Sequence, residues 1–182
     1  METLLLLKKR LLEKGVDDVV LKKYESDESL IKFVNNKIVR TGLETGHMID
    51  IFVAKDKKLV TTSLKKFDKD SINNTVKKTL EFLKTAEKNN SYVSIPKGDF
   101  KYPKIENTFD KKILTLNPVD IVEASINSAL KDSKRASGTF QSSSGKVSIM
   151  TSSGIEKEFP TTSLYLSLRA FSTKEASGHK TV

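Results

Sequence analysis

Apolar residues at the start of the chain recur at the spacing of an α-helix. Five leucines fall largely on one side, and the charged residues among them fall largely on the other: Leu4, Leu5, Leu7, Leu11 and Leu12 against Lys8, Lys9, Arg10 and Glu13. Gly15 then provides the residue type that most readily takes the left-handed conformation at a helix end. The pattern predicts a helix over residues 2–14 whose leucine face packs on a core.

From residue 19 the apolar spacing shortens to two, which is typical of β-strands. Four runs show it, at residues 19–24, 30–34, 47–53 and 59–64. Turn-forming residues separate them: Ser26-Asp27-Glu28, Asn35-Asn36 and the charged stretch 55–58, while Thr45-Gly46 opens the third run. The segment predicts a meander of antiparallel strands.

A second helix is marked by a cap and a one-sided apolar face. Asp68 or Asp70 can cap it, and the face comprises Ile72, Val76, Leu80 and Leu83. We expect this helix to end near residues 88–90. Residues 91–117 show no sustained period and hold two prolines and a glycine, so they predict an ordered crossover loop.

The third helix has the clearest start signal, because Asn117 can cap it and Pro118 suits its first position. It is predicted over residues 118–133, followed by strands at 137–144, 146–152 and 161–171. Ser142-Ser143-Ser144-Gly145, Ser153-Gly154 and Pro160 are interpreted as the breaks between and beside these strands.

The order of predicted elements repeats, since a helix followed by three strands occurs twice. The fold class is therefore α+β, with antiparallel sheets, packed helices and two helix-plus-three-strand units that suggest a diverged duplication. The predicted organisation is an N-terminal unit at residues 1–90, a crossover at 91–117 and a second unit at 118–182.

The chain of 182 residues carries a formal charge of +9, which directs attention to anionic partners. Among the 32 basic residues only Arg10, Arg40, Arg135 and Arg169 are arginines, the lysines are scattered, and there is no Trp. Phosphate and base recognition favour the arginine fork and aromatic stacking. We therefore interpret most lysines as solvated surface and disfavour nucleic acid as a partner.

Few residues of this sequence are candidates for catalysis or for metal binding. Cysteine is absent, and the two histidines, His47 and His179, are far apart in sequence. His47, flanked by Glu44 and Asp50, is the one plausible central base, but a half-buried strand histidine is more often structural. The serines 142–144 are interpreted as turn residues, and the glycines form no phosphate-binding fingerprint. The sequence predicts no catalytic, metal-binding or cofactor-binding residue in this chain.

Targeting signals are not evident at the start of the chain. Met1-Glu2-Thr3 is acidic, and the run Leu4 to Leu7 is too short for a signal peptide or a membrane span. With no cysteine, a reducing compartment is the natural expectation, so we predict a cytoplasmic protein without a membrane partner.

Several short motifs, taken in order, resemble the N-terminal region of the TldD/PmbA family. They are Val34-Asn35-Asn36-Lys37-Ile38 at a strand crossing, Thr45-Gly46, Thr61-Thr62-Ser63 before a capped helix, and Phe109-Asp110-Lys111-Lys112-Ile113 before the helix from Pro118. The resemblance extends over nearly the whole chain. The chain departs from the family at Met48 and Asp50, where many relatives carry glycine and arginine.

The resemblance implies a function. TldD-type members resemble metallopeptidases whose His-Glu-x-x-x-His helix lies in a C-terminal half, where two imidazoles hold zinc. PmbA-type members resemble the same scaffold without these ligands and pair with the active subunit. This sequence ends before any such motif, so zinc is expected only in a C-terminal half, and this chain alone is expected to be inactive.

Three hypotheses follow. In the first, the chain is the N-terminal portion of a TldD/PmbA-like protein that helps to enclose peptide or unfolded-protein substrates, as a homodimer or with a related subunit. The family's label as a modulator of DNA gyrase supports the second, a basic module that binds nucleic acid or another polyanion. In the third, the last strand, Ser163 to Phe171, leaves an open sheet edge for dimerisation.

Overall fold

A computed structural model describes residues 1–98, 101–102, 106–173 and 176–182. The remaining residues of the predicted crossover, 99–100 and 103–105, lie outside the described residues. The helices are α1 (Glu2–Glu13), α2 (Lys69–Thr85) and α3 (Pro118–Ala129), with a 3₁₀ turn at Lys111–Thr115. The strands are β1 (Asp18–Val34), β2 (Lys37–Lys55), β3 (Lys58–Leu64), β4 (Arg135–Thr151), β5 (Glu156–Phe171) and β6 (Ser177–Thr181).

The described strands form one six-stranded sheet in the order β3-β2-β1-β4-β5-β6. Asn35 and Asn36 join β1 to β2 with φ of 48° and 68°, and such two-residue left-handed turns connect antiparallel neighbours. β1 and β4 are also antiparallel, because Asn36 N–H donates to Ala136 while Ser152 N–H donates to Val19. The predicted α+β class with antiparallel strands is confirmed.

The helix starts follow the predicted caps, whereas two helix ends differ. Asp68 accepts a hydrogen bond from Ser71 N–H at 2.9 Å, and Asn117 accepts one from Val119 N–H at 3.1 Å. α2 ends at Thr85, before the predicted 88–90, because Ala86 turns to an extended backbone. α3 ends at Ala129, before the predicted 133.

Three predicted breaks and one predicted strand start are wrong, because the strands continue through them. Ser26-Asp27-Glu28 lies inside β1, Thr45-Gly46 inside β2 and Ser142–Gly145 inside β4. Pro160 likewise lies within β5. Local turn propensity is outweighed here by hydrogen bonding to neighbouring strands, since β1 and β4 each have a strand on both sides.

The sheet edge predicted at Ser163 to Phe171 is partly covered by a strand that the sequence analysis missed. β6 pairs with β5 from Ser167↔Thr181 to Phe171↔Ser177, and Leu166 and Val182 exchange backbone hydrogen bonds of 3.0 Å. α1 and α3 are each followed by three strands, but these differ from the predicted ones, because β1 and β4 each span two predicted strands. The duplication itself stays a prediction.

The chain divides into two compact units, and both halves of the sequence contribute to each. Unit 1 comprises Met1–Glu25, His47–Lys104 and Lys146–Phe159, and unit 2 comprises Ser26–Gly46, Ile105–Gly145 and Pro160–Val182. In unit 1 the leucine face of α1 and the apolar face of α2 pack on the sheet, with Leu4, Leu7, Leu11, Ile51 and Leu83 all buried. In unit 2, α3 packs through Val122 and Ile126 against Ile31, Phe33 and Phe140.

Within the described ranges no helix combines the length and the apolar character needed to cross a membrane.

A buried carboxylate ties the segment after α2 to the start of β1 in unit 1. Asp18, 1% exposed, accepts hydrogen bonds from the Tyr92 hydroxyl at 2.9 Å and the Ser94 hydroxyl at 2.8 Å. Burial, and then the hydrogen bond to Asp18, raise the pKa of Tyr92 to about 12. The described start of the crossover is thereby fixed to the sheet.

This shift predicts a loss of stability at high pH. A tyrosine whose pKa rises from 10.0 to about 12 on folding binds its proton more tightly in the folded state. Its contribution is therefore fully present below pH 10 and is lost as the pH approaches 12. We expect the free energy of unfolding of Tyr92→Phe, measured by urea denaturation, to fall less than that of the wild type over this interval. An equal fall of the free energy of unfolding with pH in the two proteins would contradict a stabilising role of the Tyr92 hydroxyl.

Gly138 allows β4 to lie close to β5 in unit 2. A Cβ at this position would overlap the backbone oxygen of Ser167 and lie 2.6 Å from Cζ of Phe33, a fully buried ring. Neither neighbour can move freely, because one is backbone and the other is packed in the core.

Gly138→Ala is expected to lower the free energy of unfolding by about 1–3 kcal/mol, the usual penalty of overpacking. Gly42→Ala is the matched control, since nothing lies within 4 Å of its added Cβ. Denaturant titration of both variants measures the difference. Similar stability of the two variants would show that the close approach of β4 and β5 is not restrictive.

Candidate functional site

An open groove of about 370 Å³ lies in unit 2 on the middle parts of three strands. β1, β2 and β4 contribute polar residues together with one leucine, and the segment leading into α3 contributes apolar residues. The lining residues are Asp27, Glu28, Ser29, Leu43, Glu44, Thr45, Ile113, Leu114, Leu116, Pro118, Ser142, Ser143 and Ser144.

The polar residues of the groove are held by side-chain hydrogen bonds between strands. Thr45 Oγ1 donates to Asp27 at 2.7 Å, and Gln141 Nε2 donates to Glu28 at 2.8 Å. The hydroxyls of Ser143 and Ser163 are 2.8 Å apart. These bonds connect neighbouring strands at the positions where the sequence favours turns.

The apolar side of the groove is anchored to β5. Asp110 N–H donates to the Thr162 hydroxyl at 2.8 Å, and Thr162 N–H donates to the Thr108 carbonyl at 3.0 Å. The Asp110 side chain also caps the 3₁₀ turn by accepting from Lys112 N–H. This arrangement leaves Leu114 and Leu116 exposed beside the groove.

The groove differs in charge from the chain as a whole. Asp27, Glu28 and Glu44 line it, and none of its described lining residues is Lys, Arg or His, although the chain carries +9. Leu43, 89% exposed, adds apolar surface. The combination suits a ligand segment that carries both positive charge and apolar groups.

The residues that the sequence analysis considered for catalysis are not brought together by the described contacts. His47 stacks at a tilt on Phe67, with ring centroids 4.8 Å apart, in unit 1. Ser142, Ser143 and Ser144 lie in unit 2, along the groove. Among the residues that the structure describes, no three acidic, histidine or cysteine side chains gather where they could hold a metal ion.

One serine–histidine pair was not considered from the sequence. The Ser167 hydroxyl lies 2.9 Å from Nε2 of His179, beside a hollow of about 350 Å³ that is also lined by Ser137, Gly138 and Arg169. The pair depends on β6, whose five exposed residues show no apolar alternation. No local signal in the sequence marks this pairing.

Comparison with solved structures identifies the fold. A proposed modulator of a DNA gyrase from Thermotoga maritima matches 99% of this chain with a TM-score of 0.76 and 17% identity. A second proposed modulator of DNA gyrase, from Bacteroides thetaiotaomicron, matches 99% with a TM-score of 0.77 and 17% identity. TldE from Thermococcus kodakarensis matches 98% with a TM-score of 0.71 and 16% identity.

The resemblance to the TldD/PmbA family is thus confirmed in the fold. This chain spans 41%, 43% and 42% of the three solved chains, in the same order. No protein-family model matches the sequence, and no curated protein matches it.

Proposed function

We propose that this chain is the N-terminal portion of a TldD/PmbA-like protein and supplies a docking surface for extended peptide segments in an enclosed substrate chamber. The likeness of fold to TldE and to the two proposed gyrase modulators supports the family part of the proposal. The groove of unit 2 is the observation that carries the docking role, because it combines three carboxylates with exposed leucines.

The chemistry of the groove defines the preferred segment. Lysine or arginine side chains of an unfolded peptide would pair with Asp27 and Glu44, and apolar side chains would cover Leu43 and Leu114. Hydroxyls such as that of Ser143 can bond to peptide amide and carbonyl groups.

The wider assembly is part of the same proposal. We expect this chain to act in the cytoplasm, as a homodimer or paired with a TldD/PmbA-type subunit. Any zinc chemistry would belong to a His-Glu-x-x-x-His helix that these 182 residues do not contain.

Peptide binding tests the docking role. A fluorescent unfolded peptide that alternates Lys and Leu is expected to bind, while a matched peptide that alternates Glu and Leu is not. Glu44→Lys should weaken binding of the Lys–Leu peptide by roughly fivefold, as reversal of one partly screened charge implies. Fluorescence anisotropy at moderate salt gives both affinities.

Glu81→Lys is the control, because it makes the same charge change on the exposed face of α2, in unit 1. It should leave peptide affinity unchanged. Equal affinity for the two peptides, or equal weakening of binding by both variants, would argue against peptide docking in the groove.

Hydrolysis is tested separately. The purified chain, incubated with zinc and an unfolded peptide, is expected to give no cleavage products by mass spectrometry, because zinc hydrolysis needs a set of protein ligands and a base. Cleavage that a chelator abolishes would refute the expectation of an inactive chain.

A further inference from the structure

The β5–β6 hairpin places two basic side chains next to each other in unit 2. Its register sets Arg169 directly opposite His179, so the two side chains share a face of the sheet. Ser167 lies two residues before Arg169 and therefore on that same face. Ser137, from β4, lines the same hollow of about 350 Å³.

The groups around this hollow include hydrogen-bond donors. The guanidinium of Arg169 offers a fork of N–H groups and has no ion-pair partner among the described residues. The Ser137 hydroxyl accepts from Asn35 N–H at 3.1 Å, which leaves its own O–H free to donate elsewhere. No carboxylate belongs to the described lining of the hollow.

The other arginines have different surroundings. Arg10 is hydrogen-bonded to Asn73, Arg135 lies over the Phe171 ring at 4.9 Å, and Arg40 is exposed on β2. Arg169 is thus the arginine that shares a hollow with a histidine and two hydroxyls.

We propose that this hollow binds the phosphate group of a small phosphorylated ligand. Arg169 supplies the charged fork, His179 supplies a hydrogen-bonding ring, and Ser137 and Ser167 supply hydroxyl groups. The site goes beyond the peptide-docking role, since none of its residues lines the groove.

Amide NMR of the labelled chain tests the proposal with two probes, inorganic phosphate and O-phosphoserine. Both should shift the amides of residues 137–138, 167–169 and 178–180, with dissociation constants of about 1 mM or below. Tighter binding of phosphoserine points to a phosphorylated metabolite or side chain, and equal binding points to free phosphate. Either result supports the site.

Three variants distinguish phosphate binding in the hollow from general electrostatic attraction to the basic chain. Arg169→Gln should weaken phosphate binding at least about tenfold through loss of the charged fork, and Ser167→Ala should weaken it about threefold. Arg40→Gln, which removes the same charge from an exposed arginine of unit 2, should leave the affinity unchanged. Unshifted amides elsewhere in β5 and β6 verify that each variant is folded.

Specific outcomes would overturn the site. Chloride at matched ionic strength should produce no shifts at these amides, and shifts equal to those with phosphate would argue against the site. Equal weakening by Arg169→Gln and Arg40→Gln would assign the binding to net charge. Absence of phosphate shifts at these amides, together with binding of a short DNA duplex, would overturn the site and favour a nucleic-acid surface elsewhere.

Discussion

Hydrogen bonding between long antiparallel strands is the constraint on which the rest of this structure depends. β1 lies between β2 and β4, so its backbone groups are satisfied on both sides even where its side chains are Ser, Asp and Glu. A turn at Ser26-Asp27-Glu28 would leave the neighbouring strands without partners there. The penalty for unpaired backbone groups exceeds the weak local preference of three residues for a turn.

This constraint also explains where polar residues accumulate. Because β1, β2 and β4 continue through polar stretches, Asp27, Thr45 and Ser143 lie on paired strands and bond to neighbours at well-defined positions. The groove of unit 2 therefore has a floor of ordered strands instead of loop tips. Its opposite side comes from the 3₁₀ turn at Lys111–Thr115, which is anchored to β5 through Thr162.

The elements that could be predicted from the sequence are those with local signals. The leucine spacing of α1, the caps Asp68 and Asn117, and the Asn35-Asn36 turn each fix a conformation within a few residues. Strand continuity and β6 could not be predicted, because both depend on partners distant in sequence. The Ser167–His179 contact has the same origin, since it exists only once β6 pairs with β5.

The distribution of charge shows why net charge says little about an individual site. The chain carries +9, yet the groove is lined by three carboxylates, whereas the hollow beside β6 combines Arg169 and His179. Both lie in unit 2, so strand register, and not composition, decides which charges meet. Coulomb interactions between exposed charges fall off within about 10 Å at ordinary salt, so a ligand at either site responds to its immediate neighbours. A basic surface with scattered lysines can therefore present one site for cationic segments and another for an anion.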